Sequence, residues 1–460
     1  MGEARLGLTE AVSMALGGMI GGGIYAVMGV VAGLTGPATW AAFVVAGFVA
    51  LCAGYSYNAL NRIDDDHKGG SVSFVKSFVG NATLAGMTGW TLLFGYVGSM
   101  AMYAFAFAEF TLSLGVVPAS VAGLPARPVV SVVAVAGFVG LNLLGAQTTG
   151  TAENVLVALK VAILLAFGAL GLAYVFGFAD EGLALGFGRL SGVGPVIAAA
   201  ISFVAFQGWQ LLFYDQESIA DPVSTIRKAV YVSIPAAVVV YVLVGVVTVN
   251  LAPDAIQSHP HVALKTAAEQ MVRPYGLAAV GGTVLALSAL FSTGSAINAT
   301  LFSAAHFAKG MLSSDLLPDY VGDSAADGLP ERTVLVLGAI TAAFSAYGSL
   351  GAITSFASLA FIVVFGAMSY LALAERDRDG VHPLPPAVGL VGAAGFFPLM
   401  LWNLYNREPE TFGMVVVIAV AVVAAEILYF ERDVIKREVD EVERTVFGDG
   451  EGFPTDVDQD

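Results

Sequence analysis

Long apolar runs separated by short polar intervals set the rhythm of this chain. Between Met14 and Arg62 no Asp, Glu, Lys or Arg intervenes, room for two bilayer spans of about 20 residues each. The same reading, with Gly, Pro and charge as boundaries, predicts twelve spans. They lie near 10–33, 38–60, 83–112, 128–146, 153–177, 195–217, 228–251, 277–310, 333–350, 353–373, 386–403 and 412–430. The third and eighth are long enough to tilt or to continue past the bilayer. The ninth and tenth must part within a few residues, between Leu350 and Ile353. The expected class is an all-α polytopic membrane protein, with a transmembrane domain over 1–430 and a tail over 431–460.

Composition strengthens that picture. Apolar side chains make up 57% of the 460 residues and charged ones only 12%, with 54 glycines besides. Soluble domains carry about 25% charged residues. The first apolar stretch is too long for a cleaved secretory leader and runs on into the body. Cys52 is the single cysteine, so neither a disulfide framework nor a thiolate metal site is expected. Net charge is −16, from 36 acidic and 20 basic residues. From Glu431 to Asp460 there are eleven acids and four bases, a net of −7. That stretch reads as a solvated tail, helical at its start and disordered beyond Gly448. Few lysines and many acids fit a salt-in halophile or an ordinary acidic membrane protein.

Basic residues in the loops give orientation. With the amino terminus inside, fourteen Lys and Arg fall on the inner side and five on the outer (Arg127, Arg189, Lys265, Arg273 and Arg407). Both termini are then cytoplasmic. The remaining one, Lys160, lies within a span.

Two spans carry interruptions. In the first, Gly17 to Gly23 holds five glycines in seven residues, followed by Ile24 and Tyr25; each costs about 1 kcal/mol relative to alanine inside a helix. One reading is close helix packing through small residues, Gly17 and Gly21 having the GxxxG spacing. The other is an unwound stretch whose second half-helix turns free N–H groups toward an anion. The sixth span holds Ser202-Phe-Val-Ala-Phe-Gln-Gly-Trp-Gln210, a polar, glycine-containing centre whose two glutamines need partners in the membrane. Interrupted spans five elements apart point to a transporter site between inverted repeats of helices one to five and six to ten.

These residues resemble the amino acid–polyamine–organocation superfamily. Gly18, Ile20, Gly21, Gly22, Gly23, Ile24 and Tyr25 fill its first-helix pattern, and Gly69 to Gly80 is similar to its loop after helix two. Ala205, Phe206, Gly208, Trp209 and Gln210 resemble helix six of the L-type branch, and Glu217 with Asp221-Pro222 matches the end of that helix. Phe291 to Asn298, onward to Leu317-Pro318, is similar to helix eight. The departures are His306, where the family has Arg, and Ser313-Ser314-Asp315, where it has Ala-Arg-Asp-Gly. The resemblance spans roughly residues 8 to 375 and implies the leucine-transporter fold, a 5+5 inverted repeat with two extra helices.

The resemblance also implies where an amino acid would bind. Its carboxylate would meet N–H groups at Gly21, Gly22 and Gly23. Its ammonium would meet carbonyls freed near Met19, Ile20, Phe203 and Ala205, since freed helix starts donate and freed ends accept. Val204, Phe206, Gln207, Trp209 and Tyr25 would surround or gate the side chain, though core packing explains aromatics equally well. Lys160 is the most informative residue, because an intramembrane lysine marks a functional site by default. It is either a snorkelling side chain or a buried ammonium beside the first-helix glycines. Ser292, Thr293 and Ser295 are its candidate neighbours, or hydroxyls bonded to their own helix. Glu109 reads as interfacial, the 64–67 acidic cluster with His67 as a solvated loop, and His259 and His261 as loop residues without a ligand set.

The expected function is secondary transport of an amino acid, neutral because no carboxylate is expected at the glycines, by proton symport or exchange. The expected partners are that amino acid, the lipid bilayer and protons, with no cofactor and no nucleic acid. A cationic amino acid, a polyamine or an inorganic cation is the rival cargo, and a channel or nutrient sensor the rival class. HExxH, GxSxG, His clusters and paired intramembrane carboxylates are lacking, which argues against a membrane enzyme.

Overall fold

A computed structural model describes residues 5–64, 70–145, 150–178, 182–214, 216–314, 316–317 and 330–425. The 431–460 tail, Asp65 to Gly69 and Asp315 lie outside the described residues. Among the described residues, the stretches expected to cross the membrane fall on helix, the sixth with a break. The long helices are α1 (Leu8–Thr35), α2 (Thr39–Ile63), α4 (Ala82–Ser113), α5 (Ala126–Leu143), α6 (Gly150–Phe178), α8 (Pro222–Leu251) and α11 (Ala278–Leu312). They continue as α12 (Glu331–Tyr347), α13 (Leu350–Ala374), α14 (Leu384–Arg407) and α15 (Pro409–Ala425). Among the described residues, eight helical stretches are long and apolar enough to cross a membrane, with α1 and α2 taken as one. Large apolar side chains face outward on these helices, among them Val133 on α5, Leu170 on α6, Val280 on α11 and Val417 on α15. Such a surface suits lipid, not water.

Local chemistry sets the helix ends. Asn81 caps α4 by accepting from Leu84 N at 2.9 Å, and Ser349 caps α13 by accepting from Ala352 N at 3.1 Å. The turn between α12 and α13 therefore sits at Gly348 and Ser349, a little before the expected division, because the serine cap starts the second helix. Two stretches taken as loops are helical: α3 (Ser71–Val79) follows α2, and α9 (Pro253–Ser258) and α10 (Ala263–Val272) follow α8. A small hairpin, Ser120–Val121 against Leu124–Pro125, joins α4 to α5.

The core lies where α1, α2, α4, α8, α11 and α13 pack on one another. The sixth expected span is broken as anticipated. It runs as α7 (Gly194–Ser202), a 3-10 turn at Phe203–Phe206, extended Gln207, Gly208, and a second 3-10 turn at Trp209–Phe213. Gly208 has φ +130°, a conformation that only glycine adopts without strain. The first span differs from expectation. α1 is continuous helix through Gly17 to Tyr25.

Candidate substrate site

The α1 glycines serve contact. A Cβ on Gly18 would lie 2.6 Å from Gly208 Cα, and one on Gly22 would lie 2.1 Å from the Tyr103 ring of α4. On Gly21 it would lie 3.1 Å from Ala296 Cβ of α11, and on Gly23 3.0 Å from Ala205 Cα. Three elements thus press on the bare helix backbone at one level. The N–H groups of Gly21, Gly22 and Gly23 consequently stay within α1, and the unwound anion site expected there is not formed. The physical reason is that neighbours fill the room left by missing side chains, so helical bonding remains the best partner available to those amides. The small-residue packing reading holds in this conformation.

Two of the carbonyls expected to meet an ammonium are instead met by a residue that the sequence reading passed over. Tyr241 of α8, fully buried, has its hydroxyl 2.6 Å from Met19 O and 2.8 Å from Ala205 O. Ile20 and Phe203 are buried in the same core. Ser358 of α13 was also missed. It donates to Ile201 O at 2.5 Å and accepts from Val204 N at 3.0 Å, bridging the end of α7. Both glutamines of the break find partners. Gln207 donates to Tyr103 Oη at 2.7 Å; Gln210 accepts from Gly208 N at 2.6 Å and donates to Gln207 Oε1 at 3.2 Å. Tyr241 sits alone among small or aliphatic residues in mid-span, and Tyr103 carries a hydroxyl in an otherwise apolar stretch. A hydroxyl that must find a partner there was the available signal.

The aromatics divide. Phe206 packs on Tyr241 with ring centroids 5.2 Å apart. Trp209 turns away into a cluster with Tyr57 and Phe365, each 5.0 Å distant, and does not line the cavity described next. Tyr25 bonds to Ser288 Oγ at 2.8 Å and meets Phe110 edge-on. Both are core residues in this conformation.

A cavity of about 1520 Å³ opens beside these elements. It runs from Lys76 and Ser77 on α3, along α11, to Gly17 and Gly18 on α1, where it meets Lys160 and Ser295. Its described lining holds no Asp or Glu. Lys160 on α6 is 5% exposed and donates to Ser295 Oγ; Ser295 in turn donates to Ser292 O at 3.2 Å. The ammonium thus points inward to α11, beside the glycine run. Thr293 bonds to Ala289 O of its own helix at 2.7 Å. A second polar pair, Asn142 to Asn298 at 2.8 Å, joins α5 to α11 at the cavity wall.

On the opposite face the core is shut. Gly29 of α1 lies against Pro260, where a Cβ would be 2.0 Å from the carbonyl oxygen. His261 packs on Phe105 at 5.3 Å, and Arg127 lies over the same ring at 4.2 Å while donating to Ala346 O. Burial pushes the His261 imidazole below its ordinary value, and the Arg127 guanidinium adds to the shift.

A profile of the family described as amino acid permease matches residues 6–427. The inner membrane transport protein YbaT of Escherichia coli is 27% identical over 88% of this chain and 91% of its own length. The methylthioribose transporter of Bacillus subtilis is 23% identical, with 87% of each chain covered. Among solved structures, a manganese transporter mutant from Eremococcus coleocola superposes with a TM-score of 0.61 at 13% identity, covering 91% of this chain and 92% of that one. That likeness is one of fold.

Proposed function

Since the chain belongs to the amino acid permease family and is therefore a multi-pass membrane transporter rather than an enzyme, we propose that it carries a neutral amino acid by proton symport or exchange. The observation behind this reading is one juxtaposition. The α1 glycines touch the broken helix at Gly18 and Gly208, and the cavity ends at that contact beside buried Lys160. Separation of α1 from the break, with unwinding of α1 at its glycines, would free N–H and C=O groups, donors for a carboxylate and acceptors for an ammonium. Two lysines and no carboxylate in the cavity lining favour a neutral cargo over a polyamine or metal cation. Lys160, with Ser292, Thr293 and Ser295, is the proposed ion-coupling set, and desolvation of its ammonium is the physical lever. The reading includes twelve crossings in a 5+5 inverted repeat plus two, with both termini cytoplasmic.

The similarity to a methylthioribose transporter favours a second cargo, which lacks both ammonium and carboxylate. Liposome uptake separates the two. With a labelled panel of amino acids and methylthioribose, we expect accumulation of a neutral amino acid under an inward proton gradient. Lys160→Ala should lower gradient-driven uptake at least tenfold. Uptake of methylthioribose alone would overturn the amino acid assignment, and uptake only into preloaded vesicles would establish exchange.

A further inference from the structure

We propose that the Tyr241 hydroxyl stands in for the ammonium group of the cargo, holding Met19 O and Ala205 O in the packed conformation until an ammonium displaces it. The inference rests on the amino acid reading above.

The geometry is specific to one atom. Tyr241 Oη lies within hydrogen-bond distance of two carbonyls on different elements, α1 and the 3-10 turn at the break. A tyrosine hydroxyl has a single proton, so it serves two acceptors less well than the three protons of an ammonium would. The ring is fixed between Phe43, 5.4 Å away, and Phe206 at 5.2 Å, leaving the hydroxyl little freedom to seek another partner. A Cβ on Gly23 would lie 3.1 Å from the hydroxyl and 3.0 Å from Ala205. The glycine is therefore what lets α1, the break and Tyr241 meet. These are the carbonyls to which the amino acid reading assigns the ammonium.

The sign of the effect follows. Without the hydroxyl, the packed conformation loses a donor to two buried carbonyls, Ala205 O at the break and Met19 O, the latter keeping its bond within α1, which raises its free energy. An arriving ammonium relieves that deficit, so the cargo should bind more tightly to the variant. The return of a carrier without cargo, which net uptake requires and exchange does not, should slow. Tyr241 would then be a positioning residue for the cargo-free half of the cycle.

The test is Tyr241→Phe, which keeps the ring. In liposomes we expect a KM for the transported amino acid lowered about fivefold, net uptake reduced about tenfold, and exchange into preloaded vesicles kept within twofold of wild type. A purely structural defect would lower both fluxes together and leave KM unmoved. Either that result or unchanged values would overturn the proposal. Should the phenylalanine variant fail to fold, 3-fluorotyrosine installed at position 241 supplies a more acidic, stronger donor and should raise KM; an unmoved or lowered KM would overturn the proposal. If wild type binds no amino acid, the functional reading falls. If wild type transports and these variants behave as wild type, only the Tyr241 inference falls.

Discussion

α1 and the broken helix meet in the core of the bundle, each through a glycine, yet one keeps its helix and the other does not. Gly18 and Gly208 touch backbone to backbone. In α1, every glycine of the run has helical backbone, and its missing side chain makes room for a neighbour. In the broken helix, Gly208 has φ +130°, and the amide that leaves the ladder is met by Gln210. Ser358 from α13 repairs the other side of the break. The difference lies in the supply of replacement partners. A helix opens in a membrane only where side chains stand ready for the backbone groups it releases. Around the break those side chains are present. Around the α1 glycines the closest described neighbours are chiefly ring faces and small side chains, with the Tyr241 hydroxyl beside Gly23.

The comparison can be broken most sharply at Gly208. Alanine there would be strained at φ +130° and would press on Gly18, so Gly208→Ala should destabilise the protein by about 3 kcal/mol or more. A melting temperature within a degree or two of wild type would mean that the glycine is not needed for the break. Gly22→Ala comes next. Its Cβ would lie 2.1 Å from the buried Tyr103 ring, and a loss of about 1–3 kcal/mol is expected. Tyr103→Leu should recover part of that loss in a double-mutant cycle. Additive losses would show that α1 needs glycine for its own backbone and not for contact.

The smallest expected effect is one of acid, and it separates the two helices. The Pro260–Val262 turn presses on α1 at Gly29, and His261 in that turn has a lowered pKa. A histidine kept neutral in the folded protein gives full stability above its ordinary value near 6.5. That contribution falls as pH drops below 6.5 toward the folded value, because the unfolded form binds the proton first. Hydrogen exchange at pH 5.5 against pH 7.5, corrected for intrinsic rates, should show loosening around Gly29 and α9–α10, with none at the break. His261→Gln should abolish the difference. Equal loosening at both places would contradict this assignment.

The placement of helices was legible because charge-free runs in a chain with 12% charged residues leave few alternatives. The break was legible for a related reason, since Gln207, Gly208 and Gln210 together announce both the bend and its caps. The α1 run misled because glycine records that a side chain is missing, not what fills the gap. The rings and methyl groups that fill it come from α4 and α11, roughly 80 and 275 residues away in sequence. Tyr103, Tyr241 and Ser358 were passed over for the same reason. Nothing local marks them except a hydroxyl in mid-span, and their partners appear only when the helices are assembled.

The length of α11 has a mechanical consequence. Its 35 residues make a rod of about 52 Å at 1.5 Å per residue, against a hydrocarbon core of about 30 Å. A tilt of about 55° would be needed to submerge it, beyond the usual 0–40° range, so part of it must extend past the hydrocarbon core. α4, with 32 residues, packs along it and is nearly as long. The pair forms a spar whose submerged part borders the cavity at Gly294 and Ser295 and whose length carries it beyond the hydrocarbon core. A spectroscopic label on the projecting turns would report events at the buried lysine without entering the membrane.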